Sequence, residues 1–213
     1  MIGRGFPLAA AAFLFAGAAF ASPAGPIDDL SRAAKFFQDG KAHRAAFVQT
    51  FTPAGFTRSR KESGVLVVQA PESLRFDYET PKKVFTFDGK VARFYSAADR
   101  QMTVKPLSDA DRAQLPLVFL ESPEELARKN RLQREEREGG SAILVTPKDP
   151  ASEVSWIRLT LSETGAPVSL SFQASSGDRT EFRFEAFQGE PARDADFFSI
   201  HPPAGTRILD NEP

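Results

Sequence analysis

The sequence predicts a mainly β fold with a few helices, in which an antiparallel sheet forms a barrel or a strongly curved half-barrel. Segments with a period of two recur about every 10–12 residues and are separated by tight turns. Helical spacing of apolar residues occurs in two places, before the first strand and in mid-chain. The chain has 20 phenylalanines against two tyrosines and one tryptophan, which indicates either a dense aromatic core or an apolar pocket.

Residues 1–21 have the features of a secretory signal peptide. Arg4 gives a positive start, the stretch from Leu8 to Phe20 is almost entirely apolar, and small residues stand at Ala19 and Ala21. The apolar stretch is shorter than the roughly 20 residues that a membrane-spanning helix needs. We therefore expect cleavage near Ala21, export to the periplasm, and a mature chain, 22–213, that forms a single domain.

Composition argues against several classes of protein. There is no cysteine, so the mature chain can carry neither a disulfide nor the N-terminal lipid of a bacterial lipoprotein. The 27 basic and 28 acidic residues give a net charge of −1 and are mixed along the sequence. Nucleic-acid binding needs a basic face, and electrostatic attachment to a membrane needs a basic segment. The charge pattern therefore argues against both partners.

An N-terminal helix is followed by a long series of strands. Asp28 and Asp29 precede an apolar stripe that ends at Phe37, and Gly40 lies just beyond, which predicts a helix of about three turns. From His43 onward the period changes to two. The strands are predicted at 43–51, 64–69, 74–79, 84–89, 91–96, 101–107, 131–138, 141–147, 154–162, 168–174 and 180–187, with Asp88-Gly89 as a hairpin turn. The tail, 197–209, contains two successive prolines and is expected to form at most a short edge strand.

The mid-chain interruption is predicted to be helical. Ser108 with Asp111, and Ser122 with Glu125, have the spacing of capping boxes, the second helped by a proline in its first turn. The first of these helices carries a crowded apolar face, and Pro116 is expected to kink or break it. A short helix this apolar must cover something. The predicted lid residues, from this helix and the N-terminal one, are Leu30, Phe37, Leu115, Leu117, Val118 and Phe119.

Residues suited to catalysis are few. His43 and His201 are far apart in sequence, and each is expected to have an exposed or hydrogen-bonded structural role. The sequence has no nucleophile elbow, phosphate-binding glycine loop or zinc-type spacing. The Asp-Ala-Asp sequences at 109–111 and 194–196 lack the further ligands of a calcium loop and suit helix capping and solvation. We therefore predict that the protein is not an enzyme and has no metal or cofactor site.

What remains is an apolar interior. If the sheet curves without closing, one face must be covered by helices or by a ligand, and burying an alkyl chain contributes about 0.8 kcal/mol per methylene. The alternation of the first strands turns Phe47, Leu66 and Phe76 to one side, which we expect to face inward. The predicted lipid-binding residues are Phe47, Phe51, Leu66, Val68, Leu74, Phe76, Phe85, Phe94, Trp156, Phe172, Phe182 and Phe184.

An ordered set of motifs resembles a known family. The motifs are Phe47-x-Gln49, Gly64-x-Leu66-x-Val68-x-x-Pro71, Leu74-Arg75-Phe76-x-Tyr78, Pro81, Phe87-Asp88-Gly89, Phe94-Tyr95, Gln101, Leu144-x-x-Pro147-Lys148, and a closing set of Phe197, Ile200, Pro202, Pro203 and Gly205. Their order, from about residue 28 to 209, resembles the periplasmic outer-membrane lipoprotein carrier family, LolA.

The resemblance implies an open half-barrel of about eleven antiparallel strands with a helical lid over a hydrophobic cavity. It also implies a chaperone that binds the acyl chains of lipoproteins and needs no nucleotide of its own. Its partners would be acylated lipoproteins, an inner-membrane ABC-type transporter (LolCDE-like) and, if present, an outer-membrane acceptor (LolB-like). We expect the carrier to be a monomer.

One position departs from the family pattern. The family usually has an arginine before the proline that ends the second strand, where it helps to hold the lid shut, and this chain has Ala70 before Pro71. Arg75 lies nearby in sequence but is expected to face differently. Either apolar contacts alone hold the lid, or the chain carries or senses another lipid, such as a glycolipid, a phospholipid or a polyene ester. Two further hypotheses are a sensor of mislocalised lipoprotein and an exported hydrolase. A sensor usually requires a second domain or a membrane anchor, and a hydrolase requires a nucleophile with its base. The sequence gives no sign of either.

Overall fold

The computed structural model describes residues 25–107 and 122–210, whose strands all belong to one open, curled sheet. Its helices in these ranges are α1 (Pro26–Phe36) and α2 (Pro123–Lys129), with a 3-10 helix at Ala195–Phe198. The strands are β1 (Ala42–Thr52), β2 (Arg60–Gln69), β3 (Ser73–Tyr78), β4 (Lys83–Asp88), β5 (Val91–Ser96), β6 (Gln101–Pro106), β7 (Asn130–Arg137), β8 (Gly140–Pro147), β9 (Val154–Ser162), β10 (Pro167–Ala174), β11 (Arg179–Phe184), β12 (Gln188–Glu190) and β13 (Arg207–Asp210).

The order across the sheet is β13-β6-β5-β4-β3-β2-β1-β11-β10-β9-β8-β7, and β12 pairs with β1 beside β11. The pairs are antiparallel apart from β13, which runs parallel to β6 at one edge. The prediction of a mainly β, open and curved antiparallel fold is therefore confirmed. Within the described residues the sheet has 13 strands where about eleven were expected. β13 lies largely in the tail, which was expected to form at most a short edge strand, and β12, of three residues, is too short to show a period of two.

Most predicted elements lie where the pattern placed them, and the turns follow from their chemistry. At the hairpin between β4 and β5, the Asp88 Oδ1 accepts hydrogen bonds from the backbone N–H groups of Lys90 (3.0 Å) and Val91 (2.8 Å). Gly89, at φ +89°, takes the left-handed conformation that this turn needs. The last predicted strand was too long, since β11 ends at Phe184 and the chain then shifts to β12.

Both helices begin with side-chain caps. The Ser122 Oγ accepts a hydrogen bond from the backbone N–H of Glu125 (3.3 Å) at the start of α2, as the spacing predicts. The Asp28 carboxylate accepts one from the backbone N–H of Gly25 (2.7 Å) before α1. Acidic residues in these first turns also interact favourably with the helix dipole. The other predicted mid-chain helix, with the capping box Ser108/Asp111, lies outside the described residues.

The two faces of the sheet are covered by different parts of the chain. α1 and α2 pack on the face that carries Phe47 and Leu66, which we call the inner face. The opposite face, called the outer face, is covered over β3 and β4 by the 3-10 helix, and there Phe198 packs against Ala42 and Val67.

Arg75 belongs to the outer face, as the sequence predicts. It stands in β3 between two inner-face residues, Leu74 and Phe76, and its side chain points the other way. Its guanidinium donates hydrogen bonds to the carbonyls of Phe197 (3.0 Å) and Ser199 (3.3 Å). Arg75 therefore fixes the C-terminal segment on the face of the sheet opposite to α1.

Gly64 marks the closest approach between β2 and β3. It pairs with Phe47 on one side and Tyr78 on the other. A Cβ added to Gly64 would lie 2.1 Å from the backbone carbonyl oxygen of Asp77. Gly64 has no side chain, and the rings of its two paired neighbours, Phe47 and Tyr78, meet on the inner face with their centroids 5.1 Å apart.

We expect Gly64→Ala to lower the free energy of unfolding by about 2–3 kcal/mol, because the new methyl group must push two paired strands apart. Gly189→Ala is the control, since a Cβ there meets only the flexible side chain of Lys41 and should change stability by less than about 0.5 kcal/mol. Urea unfolding followed by circular dichroism measures both. Equal midpoints for the two variants would contradict the tight β2–β3 approach.

Candidate functional site

The inner face is apolar over most of its width, and α1 covers part of it. Leu30 and Ala33 of α1, and Phe37 directly after it, are buried in the same cluster as Phe47 of β1 and Leu66 of β2. Full burial of a large apolar side chain contributes roughly 1.5–3 kcal/mol. α1 is thus held on the inner face mainly by the burial of these apolar side chains.

A buried ion pair fixes the position of α1. The Asp29 side chain is 0 % exposed, and its Oδ2 accepts a hydrogen bond from the Arg134 Nε of β7 at 2.7 Å. Its other oxygen pairs with Arg32 of the same helix. The pKa of Arg134 is raised, first by Glu136 and then by Asp29. A fully buried carboxylate must be paired to be tolerated, and its pairing with Arg134 of β7 holds this part of α1 against the sheet.

Aromatic rings fill the centre of the inner face. The centroid of Phe47 lies 5.3 Å from that of Phe76, 5.1 Å from Tyr78 and 5.8 Å from Phe182. The first two pairs meet edge to face, the arrangement that aromatic rings prefer. Phe182 in turn lies over Phe184. These contacts join the two halves of the sheet, β1–β6 and β7–β11, through one cluster.

Burial decreases toward the β5 side of the inner face. Phe76, Phe85 and Phe94 are directly paired across β3, β4 and β5 and point to the same side. Phe76 and Phe85 are half-buried, and Phe94 is 39 % exposed. This row of three rings, which we call the aromatic row, is apolar inner-face surface that α1 and α2 leave partly uncovered.

Polar side chains interrupt the apolar inner face near the β1–β2 hairpin, where Phe51 lies beyond them. Gln49, Glu62, Tyr78 and Lys83 lie on the inner face of β1 to β4, and we call them the polar tract. The Lys83 Nζ donates a hydrogen bond to the Glu62 Oε2 at 2.5 Å and lies 4.7 Å from the centre of the Tyr78 ring. The Tyr78 hydroxyl donates to the Gln49 Oε1 at 2.6 Å. Burial, and to a smaller extent Glu62, raise the pKa of Tyr78, so the phenol stays protonated.

The structure brings most of the predicted lipid-binding residues together on the inner face. The buried ones are Phe47, Leu66, Val68, Leu74, Phe182 and Phe184. The half-buried ones are Phe51, Phe76, Phe85 and Phe172, and Phe94 is exposed. All pair with one another or with inner-face neighbours in the strand register.

Trp156 was wrongly assigned to this set. It pairs with Gln173, and its indole N–H donates to that side chain at 2.8 Å. Its neighbour Ile157 pairs with Phe172 and points inward, so Trp156 points to the outer face. There its ring lies between the guanidinium groups of Arg158 and Arg179.

Sequence reasoning missed Arg134 and the polar tract. Arg134 stands in the charged run of β7, yet it lies two residues from Leu132 and so shares its inner-face side of the strand. For the polar tract a signal was available, because Gln49 and Glu62 share the strand parity of Phe47 and Leu66. That parity places polar residues on the inner face, where buried residues are usually apolar.

The histidines have structural partners, as predicted. The His43 Nε2 lies 2.8 Å from an oxygen of Asp39, and its hydrogen bond lowers the pKa of that carboxyl. The His201 Nε2 lies 2.8 Å from Asp196. Asp194 caps the 3-10 helix by accepting from the backbone N–H of Phe197 (3.0 Å). Within residues 25–107 and 122–210 there is no cluster of three His, Cys, Asp or Glu residues suited to a metal ion.

Among the described residues, no helix has the length and apolar character required to cross a membrane.

Comparison with known proteins places this architecture in a family. Residues 39–201 match the family described as "Outer membrane lipoprotein carrier protein LolA". The chain belongs to the LolA family. The match begins just before β1 and ends after the 3-10 helix, so it includes the strands of the inner face and α2.

Individual LolA relatives cover nearly the same span. The outer-membrane lipoprotein carrier protein of Nitrosomonas europaea is 27 % identical over 176 residues, which are 82 % of this chain and 85 % of that protein. The one of Methylibium petroleiphilum is 28 % identical over 209 residues, 97 % and 98 % of the two chains. A crystal structure of an uncharacterized conserved protein from Thermus thermophilus has the same fold at 11 % identity, with a TM-score of 0.52 over 86 % of this chain and 98 % of the other.

The predicted LolA-type lid is only partly visible. Leu30 of α1 and Phe37, which directly follows α1, lie on the inner face. Leu115, Leu117, Val118 and Phe119 lie outside the described residues. Ala70, which stands where the family pattern has an arginine, borders an open cavity of about 670 Å³ between the end of α1 and the start of α2. Among the described contacts, α1 is tied to the sheet by Asp29 and Arg134 instead.

We expect Asp29→Ala to lower the free energy of unfolding by about 3 kcal/mol, because it removes the buried carboxylate that joins α1 to the largely buried Arg134 of β7. Asp28→Ala on the same helix is the control, and the loss of its exposed cap should cost only about 1 kcal/mol. Chemical unfolding of both variants, with tryptophan fluorescence and circular dichroism as probes, measures the difference. If Asp28→Ala were as costly as Asp29→Ala, the ion pair would not be the anchor of α1.

Proposed function

We propose that this protein is a periplasmic carrier that binds the acyl chains of lipoproteins released from the inner membrane and delivers them to the outer membrane. The observation that carries the proposal is the inner face of an open sheet, on which an apolar row of aromatic rings stays partly uncovered. Large apolar patches of this kind mark binding sites. Membership of the LolA family supports acylated proteins as the cargo.

The binding step would use surface that is already apolar and already shaped. An acyl chain laid along Phe76, Phe85 and Phe94 would remove both partners from water, which is worth on the order of 8 kcal/mol for ten methylenes. Any displacement of α1 would subtract from this figure, because it exposes Leu30 and Phe37 and strains the Asp29–Arg134 pair. Such a balance suits a carrier, which must release its cargo as well as bind it.

The carrier would work between two membranes. We propose that it takes lipoprotein from an inner-membrane ABC-type transporter, whose ATP hydrolysis drives loading, and passes it to an outer-membrane acceptor where one is present. The chain would be exported by its signal peptide, cleaved near Ala21, and would act as a monomeric single domain of residues 22–213. No covalent step is needed for this task, so we propose a chaperone and not an enzyme.

Phe94→Asp should weaken capture of an acylated lipoprotein at least tenfold, because a carboxylate at the rim of the aromatic row must be desolvated against the acyl chains. Val48→Asp is the matched control, since Val48 is similarly exposed, at 42 %, but lies on the outer face. The measurement is the release of a triacylated lipoprotein from proteoliposomes that contain the transporter, with the purified mature protein as acceptor.

Two outcomes would contradict the proposal. Wild-type protein that releases no lipoprotein, but extracts a phospholipid or glycolipid from the same vesicles, would identify a carrier of another lipid. Release by Phe94→Asp at the rate of wild type and of Val48→Asp would mean that the aromatic row is not the binding surface.

A further inference from the structure

We propose that the polar tract binds the junction between the acyl chains and the peptide of the cargo, that is, its ester and amide groups. The inference rests on the proposed function and adds the orientation of the cargo in the groove. It would place the acyl chains along the aromatic row and the peptide near the β1–β2 hairpin, residues 53–59, and the β3–β4 turn, residues 79–82.

The position of the polar tract is the first argument. Tyr78 and Lys83 pair across β3 and β4, one inner-face step from the pair Phe76 and Phe85. Gln49 and Glu62 pair across β1 and β2, one step from Phe47. The polar tract therefore crosses four neighbouring strands in two steps, because Tyr78 pairs with Gly64, two residues from Glu62. An acylated peptide has a boundary between apolar and polar groups too, where its hydrocarbon ends.

The fold by itself does not call for these residues. Glu62 is 8 % exposed, and its partner Lys83 is also largely covered. Taking a carboxylate and an ammonium out of water is unfavourable enough that a well-packed apolar pair would be at least as stable. Stability does not require this buried ion pair. Its place on the proposed binding face suits a role in ligand recognition.

Unused hydrogen-bonding capacity is the second argument. The Lys83 ammonium has three N–H donors, of which Glu62 takes one and the Tyr78 ring faces another. The bond from Tyr78 ends on the Gln49 Oε1, so it uses neither of the two N–H donors on that amide. The Tyr78 oxygen can still accept a hydrogen bond. The polar tract thus offers donors to ester and amide carbonyls and an acceptor to an amide N–H.

Its charge also fits an uncharged junction. Lys83 and Glu62 neutralise each other at 2.5 Å, and the protonated Tyr78 and the Gln49 amide add no net charge. Arg60 also lies 3.5 Å from Glu62, but its side chain is exposed and its charge is screened by water. Diacylglyceryl esters and the first peptide amides are likewise polar and neutral. A free fatty acid has no such junction and would use the aromatic row alone.

The test compares a synthetic triacylated lipopeptide with palmitic acid of matched chain length, as ligands of the purified mature protein. For the double variant Glu62→Gln/Lys83→Met, we expect the lipopeptide Kd to rise about tenfold and the palmitate Kd to stay unchanged. Tyr78→Phe, which removes one hydroxyl, should raise the lipopeptide Kd about threefold. The control is Asp88→Asn/Arg93→Met, an ion pair of similar length (2.7 Å) whose arginine points to the outer face, and it should change neither Kd.

The possible failures are distinguishable. If wild type binds palmitate but no lipopeptide, the proposed function fails and the inference with it. If wild type binds the lipopeptide and the Glu62/Lys83 variant binds it equally well, only the inference fails. A parallel loss of both ligands in that variant, with an unchanged circular dichroism spectrum, would also overturn it, because the polar tract would then shape the groove without reading the junction.

Discussion

The buried ion pair between Asp29 and Arg134 holds α1 against the one face of the sheet that cannot be left to water. An open curled sheet has no second sheet to pack on, so its inner face must be covered by other parts of the chain. Leu30, Ala33 and Phe37 provide the apolar part of that cover. Apolar contacts are non-directional, whereas a paired buried carboxylate fixes where the helix lies.

Incomplete cover leaves part of the inner face accessible. Phe47 is buried, its neighbour Phe76 and then Phe85 are half-buried, and Phe94 is exposed toward β5. The excess of phenylalanine therefore serves two purposes in one face: a packed core under α1 and an apolar surface beyond it.

The open sheet also has two edges to protect, and each is treated differently. β7 carries the run Asn130–Arg137, whose charged side chains disfavour pairing with another strand. At the other edge, β13 adds parallel to β6 and covers most of its length. The C-terminal segment reaches that edge after packing on the outer face, where Arg75 binds the carbonyls of Phe197 and Ser199. These devices allow the sheet to stay open without aggregating.

Local pattern was sufficient for the strands, the hairpin at Asp88-Gly89, the cap at Ser122 and the shared parity of Phe47, Leu66 and Phe76, because period and turn chemistry depend on near neighbours. The inner face was therefore largely predictable as a set of residues. The cover by Leu30 and Phe37 was predicted too, but the ion pair that anchors it was not. Asp29 and Arg134 are 105 residues apart. Their contact forms only when distant parts of the chain meet, so only the tertiary structure decided how α1 is anchored. The outward direction of Trp156 was settled by the pairing of its neighbour Ile157 with Phe172. The contacts within the polar tract likewise required four strands to come together.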